Sequence, residues 1–336
     1  MIARTQAMFE SGDWRDEFAN AVSDPKELLE LLELSNTSLA AAVLSAPAFR
    51  LRVPRGFIAR MCKGNPKDPL LLQVLPLQAE QYKVPGYGPD PVGDLRAETV
   101  PGVLHKYHGR ALLVATGACA VHCRYCFRRH FPYSASNPAA DGWRQALEYI
   151  RADPSIREVL LSGGDPLSLP DSRLGELAQC IAGIAHVRRL RVHSRVPIVV
   201  PKRVNRALIT WLTATRLSAV LVVHANHANE IDDEVRAAMH ELAKTGVTVL
   251  NQSVLLRGIN DSPEALALLS ERLFEARVLP YYLHLLDPVQ GAAHFAVDRA
   301  VAVRLQRDLS ALLPGYLVPK LVWEEAGAAY KQPLVA

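Results

Sequence analysis

No stretch of the 336 residues is apolar for long enough to cross a bilayer. The opening, MIARTQAMFE, lacks the charged-then-apolar layout of a secretory leader. Charge of one sign is nearly absent as an excess: 38 Lys and Arg face 34 Asp and Glu, and a net +4 is too mild to argue for nucleic acid. Cysteine is scarce, five in all, and an odd number argues against a disulfide framework. These absences predict a soluble cytoplasmic protein that binds neither membrane nor nucleic acid. What is present is a large apolar fraction, 49% against 21% charged, enough to bury one sizeable α/β core with or without a smaller appendage.

The apolar residues change rhythm along the chain. Residues 1–50 read as helical, with Leu28, Leu31, Leu32 and Leu39 at helix-like spacing. Residues 63–102 are rich in Pro and Gly and read as loops wrapped over a larger body. From Ala111 the pattern alternates. Short apolar runs at 111–116, 157–163, 187–194, 217–224, 247–253 and 278–284 predict six strands with helices between them. In the stretch 232–246, Asp232 or Asp233 caps a helix, Val235, Met239 and Leu242 line its apolar face, and Gly246 ends it. Strand and helix in alternation predict a mostly parallel sheet, either a near-closed barrel or an open doubly wound sheet. The division expected is an extension over 1–100, a β/α body over 101–315 and a C-terminal segment over 316–336.

The polar oddities collect after the strands, where such sheets build their sites. GACAVHCRYCFRRHF follows the first strand and places Cys119, Cys123 and Cys126 within eight residues. SGGDPL, with Gly163, Gly164 and Asp165, follows the second; alone, Gly163-Gly164 would read as an ordinary βα turn. His193-Ser194-Arg195, His224 with His227, Gln252 with Ser253, and His284 with Asp287 follow the rest. Three thiols with His122 or His130 could complete a zinc site. Three thiols alone could instead hold an iron–sulfur cluster and leave one iron free for a small molecule. Cys180, in an apolar helical stretch, is expected to be buried.

The spacing Cys-x3-Cys-x2-Cys, with Tyr125 just before the last cysteine, resembles the signature of radical S-adenosylmethionine enzymes. Six longer stretches are similar, in order, to the lysine 2,3-aminomutase family: ALLVATGACAVHCRYCFRRHF, LLSGGDPL, LRVHSRVPIVVPKRV, HANHANEI, GVTVLNQSVLLRGIND and LPYYLHLLDPVQGAAHF. They cover roughly residues 100–335. HLLDPVQGAAHF and GYLVPKLVWE resemble the subgroup that makes β-lysine for modifying elongation factor P.

The resemblance implies a partial or near-closed (β/α)6 barrel and three cofactors. These are a [4Fe–4S] cluster on Cys119, Cys123 and Cys126, S-adenosylmethionine on the fourth iron, and pyridoxal 5'-phosphate on Lys331. Lys320 competes for the last role by composition but not by position. The resemblance also implies that Arg128 clamps a substrate carboxylate, and that Asp287 and Glu324 hold the ε-ammonium of free L-lysine. Arg110, and more weakly Tyr107, would line the pyridoxal phosphate pocket with Gln252. Gly163, Gly164, Asp165, His224 and His227 would lie near S-adenosylmethionine. A reductant such as flavodoxin, a β-lysine ligase and elongation factor P are the implied partners, with a homodimer plausible on general grounds. Larger relatives carry a C-terminal extension that binds zinc; Ser262 stands where they have Cys, so no zinc is expected. An aminomutase for arginine or ornithine is the nearest competing reading, and a zinc- or RNA-binding protein a more distant one.

Overall fold

Ten strands form a single sheet whose spatial order is their chain order. They are β1 (Glu98–Val100), β2 (Val103–Tyr107), β3 (Arg110–Thr116), β4 (Glu158–Gly163), β5 (Arg189–Ser194), β6 (Ser218–Val223), β7 (Thr248–Val254), β8 (Leu279–His284), β9 (Lys320–Trp323) and β10 (Gln332–Pro333). The computed structural model describes residues 13–44, 46–136 and 143–335, so the MIARTQAMFE opening lies outside the described residues. From β3 to β9 every neighbouring pair is parallel. The two ends of the sheet are antiparallel, β1–β2–β3 on one side and β9–β10 on the other. Since β1 and β10 do not pair with each other, the barrel is partial.

All six predicted strands are present, as β3 to β8, and each is followed by a helix: Arg144–Ala152, Asp171–Ala182, Arg206–Thr213, Asp233–Lys244, Pro263–Glu275 and Arg299–Leu312. Parallel strands need such crossovers, and the helices cover the sheet from outside. Local chemistry sets their ends. Asp232 caps Asp233–Lys244 by accepting from the Val235 amide at 2.9 Å, and Gly246 at φ +81° follows its last turn. Val235, Ala238, Met239 and Leu242 are its buried face. Ser262 caps Pro263–Glu275, with proline at the first helical position.

Three features depart from the expectations. Cys180 is exposed, because Asp171–Ala182 buries Leu174, Leu177, Ala178 and Ile181 and turns Cys180 away from them. Lys320 belongs to a seventh parallel strand, β9, and is exposed there. The N-terminal region is more than a cover. Leu28, Leu32, Leu51, Leu70, Leu71, Val74 and Leu75 are fully buried in the same core as the strands, while Leu31 faces outward. Among the described residues no helix is long and apolar enough to cross a membrane.

Candidate active site

The parallel strands end on one rim, and the loops that leave it carry the sequence motifs. Gly117 to Phe131 form a loop after β3 with free thiols at Cys119, Cys123 and Cys126. Burial, then Asp165 and the other two cysteines, raises the Cys119 thiol well above its ordinary range. Burial and Cys123 push Cys126 up to about 11. Thiols held neutral in this way ionise when a metal binds them, because the metal supplies the missing positive charge. Among the described residues no three His, Cys, Asp or Glu side chains converge as around a single ion. A cube spreads its cysteines over separate irons and leaves one iron without a protein ligand, which a set of three thiols matches. The two histidines offered for zinc are engaged elsewhere: His122 Nδ1 lies 2.8 Å from the Arg50 carbonyl, and His130 Nε2 lies 3.1 Å from that of Gln290.

The glycine motif holds this loop in place. A Cβ on Gly163, at φ +121°, would sit 2.5 Å from the Thr116 carbonyl, and one on Gly164 2.5 Å from that of Ala118. Only glycines let the two rim segments touch, and they do: the Gly164 and Asp165 amides donate to Thr116 and Ala118 at 2.7 Å. The Asp165 carboxylate turns inward. It accepts from Ser194 Oγ at 2.6 Å and from the amides of Arg195, Leu167 and Val196 at 2.7, 3.1 and 3.1 Å, tying the end of β4 to that of β5.

All three arginines of the cysteine loop pair with acids from the N-terminal region. Arg124, fully buried, makes a two-pronged pair with Glu80, and Arg129 Nη2 reaches the same carboxylate at 2.5 Å. Arg128 Nε donates to Asp94 Oδ2 at 2.6 Å and Nη1 to Ser162 Oγ at 3.2 Å. Burial opposes the Arg128 charge, but Asp94 outweighs it and the guanidinium stays protonated.

From Arg128 a chain of alternating charge crosses the site. Asp94 also pairs with Lys106, Lys106 donates to Glu324 at 2.9 Å, and Lys331 makes a short hydrogen bond to the other Glu324 oxygen. Burial opposes the charge on Glu324, yet Lys331 and Lys106 prevail and hold it well below the carboxylate range. Asp287 behaves oppositely: burial first and Glu324 second push it up to about 7. Two carboxylates therefore lie close together, one ionised and one proton-hungry.

Neutral imidazoles line the strip. Gln252 Nε2 lies 3.2 Å from His224 Nε2 and 3.5 Å from His193 Nδ1. Burial, with Arg195 and Lys331 adding to it, takes His224 down to about 3; burial and nearby cations also depress His193 and His284. The buried Nε2 atoms of His193 and His284 have no hydrogen-bond partner. Buried polar atoms of this kind fit a ligand with polar groups of its own. His227 does not join them; it caps the turn Ala228–Glu230 through the Asn229 amide.

Arg110 and Tyr107 face each other across the β2–β3 hairpin, with the guanidinium 4.7 Å from the ring. This is the opposite end of β3 from the cysteines, about 20 Å away at the rise of an extended strand. The rim thus does not gather every predicted residue, although burial first and the Glu324 charge next raise the Tyr107 hydroxyl well above its ordinary range. Asp94, Lys106, Glu80 and Gln73 were not singled out in the sequence. Only their charge or polarity within a Pro- and Gly-rich stretch and its first following strand could have marked them.

The radical SAM superfamily matches residues 113–269. The chain is 51% identical over 323 residues to the L-lysine 2,3-aminomutase of Escherichia coli (strain K12), covering 96% of this chain and 94% of that protein. It is 47% identical over 322 residues to the L-lysine 2,3-aminomutase of Haemophilus influenzae, covering 96% and 95%. Among solved structures, Streptococcus suis SuiB bound to S-adenosylmethionine shares the fold at a TM-score of 0.50 and 13% identity, over 69% of this chain and 54% of that one. Likeness of nearly full length to the aminomutases, on a partial barrel with the cysteine loop at its rim, makes this chain a radical SAM enzyme of the lysine 2,3-aminomutase family, whose members work with a [4Fe–4S] cluster and S-adenosylmethionine.

Proposed function

We propose that the chain converts free L-lysine to β-lysine by moving the amino group from C2 to C3. Cys119, Cys123 and Cys126 would hold the [4Fe–4S] cluster, Gly163 and Gly164 would bring backbone close to S-adenosylmethionine, and Lys331 would carry pyridoxal phosphate. When bound, these groups supply the radical that removes a hydrogen and the conjugated ring that accommodates the migrating nitrogen. The observation that carries the reading is one buried strip with a guanidinium at the cysteine end and paired carboxylates further along, Arg128 against Asp287 and Glu324.

Free lysine has the complementary charges, a carboxylate and an ammonium about 6 Å or more apart. Arg128 suits the carboxylate because its fork can bind two oxygens, and Asp94 holds that fork in orientation. Asp287 and Glu324 suit the ammonium and would repel an acidic side chain. Once Lys331 is engaged by its cofactor, Glu324 loses that partner and can turn its charge to the substrate. The neutral imidazoles of His193, His224 and His284 and the amide of Gln252 offer hydrogen bonds without adding charge. Arg110, across from Tyr107, offers a cation to the phosphate of pyridoxal phosphate.

The product would feed a ligase that attaches β-lysine to elongation factor P in the cytoplasm, with a flavodoxin-like donor as reductant. HLLDPVQGAAHF and GYLVPKLVWE support this placement. The test is to incubate the reconstituted, reduced protein with free lysine, arginine and ornithine and to chromatograph the β-isomers. Lysine turning over at least tenfold faster than the others supports the reading; preference for arginine or ornithine, or no isomer at all, overturns it.

A further inference from the structure

Arg195 leaves the end of β5 and is almost fully buried. Its Nη1 donates to Cys123 Sγ at 2.8 Å and to Tyr125 Oη at 2.7 Å. Its Nη2 donates to Gln73 Oε1 at 2.7 Å and to Glu230 Oε2 at 2.9 Å. Glu230 is itself fully buried and fixed by Gln73 Nε2 and the amides of Asn226 and His227. Tyr125 Oη also accepts from Asn226 Nδ2 at 2.6 Å. The guanidinium is thereby held by four side chains from three segments, with one edge on a single cysteine.

We propose that Arg195 is a positioning residue that sets the reduction potential of the cluster through a charged hydrogen bond to the Cys123 thiolate. The inference rests on the reading of Cys123 as a cluster ligand. Reduction adds one electron from a low-potential one-electron donor, and no bond forms or breaks. The added negative charge spreads onto the ligand sulfurs. A buried cation bonded to one of them stabilises the reduced state, and burial away from water limits screening of the effect. Glu230 opposes it from the far side of the same guanidinium, so the pair works as a tuned dipole. Removing the arginine with its partner should make the potential more negative. Neutralising Glu230 alone should make it less negative.

The experiment uses the full chain with its cluster reconstituted anaerobically. Midpoint potentials come from dithionite titration followed by electron paramagnetic resonance, at matched iron and sulfide content. Arg195→Gln with Glu230→Gln avoids leaving a bare buried carboxylate and is expected to shift the potential negative. Glu230→Gln is expected to shift it positive. A purely structural role would not give opposite signs, and an unchanged potential in both variants overturns the proposal. The wild-type protein gives an independent reading that needs no variant to fold. With arginine labelled by nitrogen-15, the reduced cluster should show a nitrogen-15 hyperfine coupling transmitted through the hydrogen bond; its absence overturns the proposal. A wild-type protein that takes up no [4Fe–4S] cluster overturns the ligand reading, whereas a normal cluster with unmoved potentials overturns the role of Arg195 alone.

Discussion

At the scale of single residues, the site is governed by how acids are shared among cations. Glu324 has two lysines and stays ionised; its neighbour Asp287 is left near 7 by burial and by the Glu324 charge. The consequence is a pH dependence with a definite sign. On the proposed reading, a substrate ammonium, charged throughout this range, would bind the ionised form of Asp287. Affinity for lysine should therefore rise as pH increases through about 7 and level off above it, falling by up to tenfold per unit on the acid side. Lysine binding titrated from pH 5.5 to 8.5 checks this, and Asp287→Asn should bind more weakly with the slope removed. An acid limb that survives in that variant would assign the titration to another group. The ionisable members of this set at 287, 324, 331 and 128 were legible in the sequence through register with the family. Their sharing was not, because Asp94 and Lys106 stand at no motif and meet the others only in space.

At the scale of elements, the cysteine loop is clamped from two sides. The glycine turn after β4 touches its backbone, and the N-terminal region supplies Glu80 and Asp94 to its arginines. This answers for the basic residues among the thiols and behind them: Arg124 and Arg129 fix the loop and do not merely offset thiolate charge. Truncating one partner of a buried ion pair leaves the other uncompensated, which costs about 3–5 kcal/mol. Glu80→Ala strands two arginines, so it should lower stability by at least that range in urea unfolding and reduce iron uptake on reconstitution. Loss below about 1 kcal/mol would mean that water reaches Arg124. The sequence marked the strands and the helix capped by Asp232 because period and capping are local signals. It mispredicted Cys180, since an apolar helical stretch still has an outer face, and it under-read residues 63–102, where Leu70, Leu71, Val74 and Leu75 hide core positions among turn residues.

At the scale of the whole molecule, the partial barrel spreads the candidate residues along the length of its strands. The rim gathers the thiols, the glycine turn and Arg128; the hairpin end brings Arg110 and Tyr107, about one strand length below. Lys106, Glu324 and Lys331 join the two by alternating charge. The barrel itself was readable from alternating strands and helices, but β9 was not. Its four residues carry too little periodic signal, and they are placed by pairing with β8. The central claim is migration of nitrogen between adjacent carbons of one free lysine molecule, and isotope placement tests it most directly. L-Lysine labelled with nitrogen-15 at the α-amino group and with carbon-13 throughout is incubated with the reconstituted, reduced enzyme and followed by nuclear magnetic resonance. The account predicts β-lysine in which the nitrogen-15 is coupled to C3 and no longer to C2; lysine returned with its label still on C2 and no β-lysine formed would contradict it.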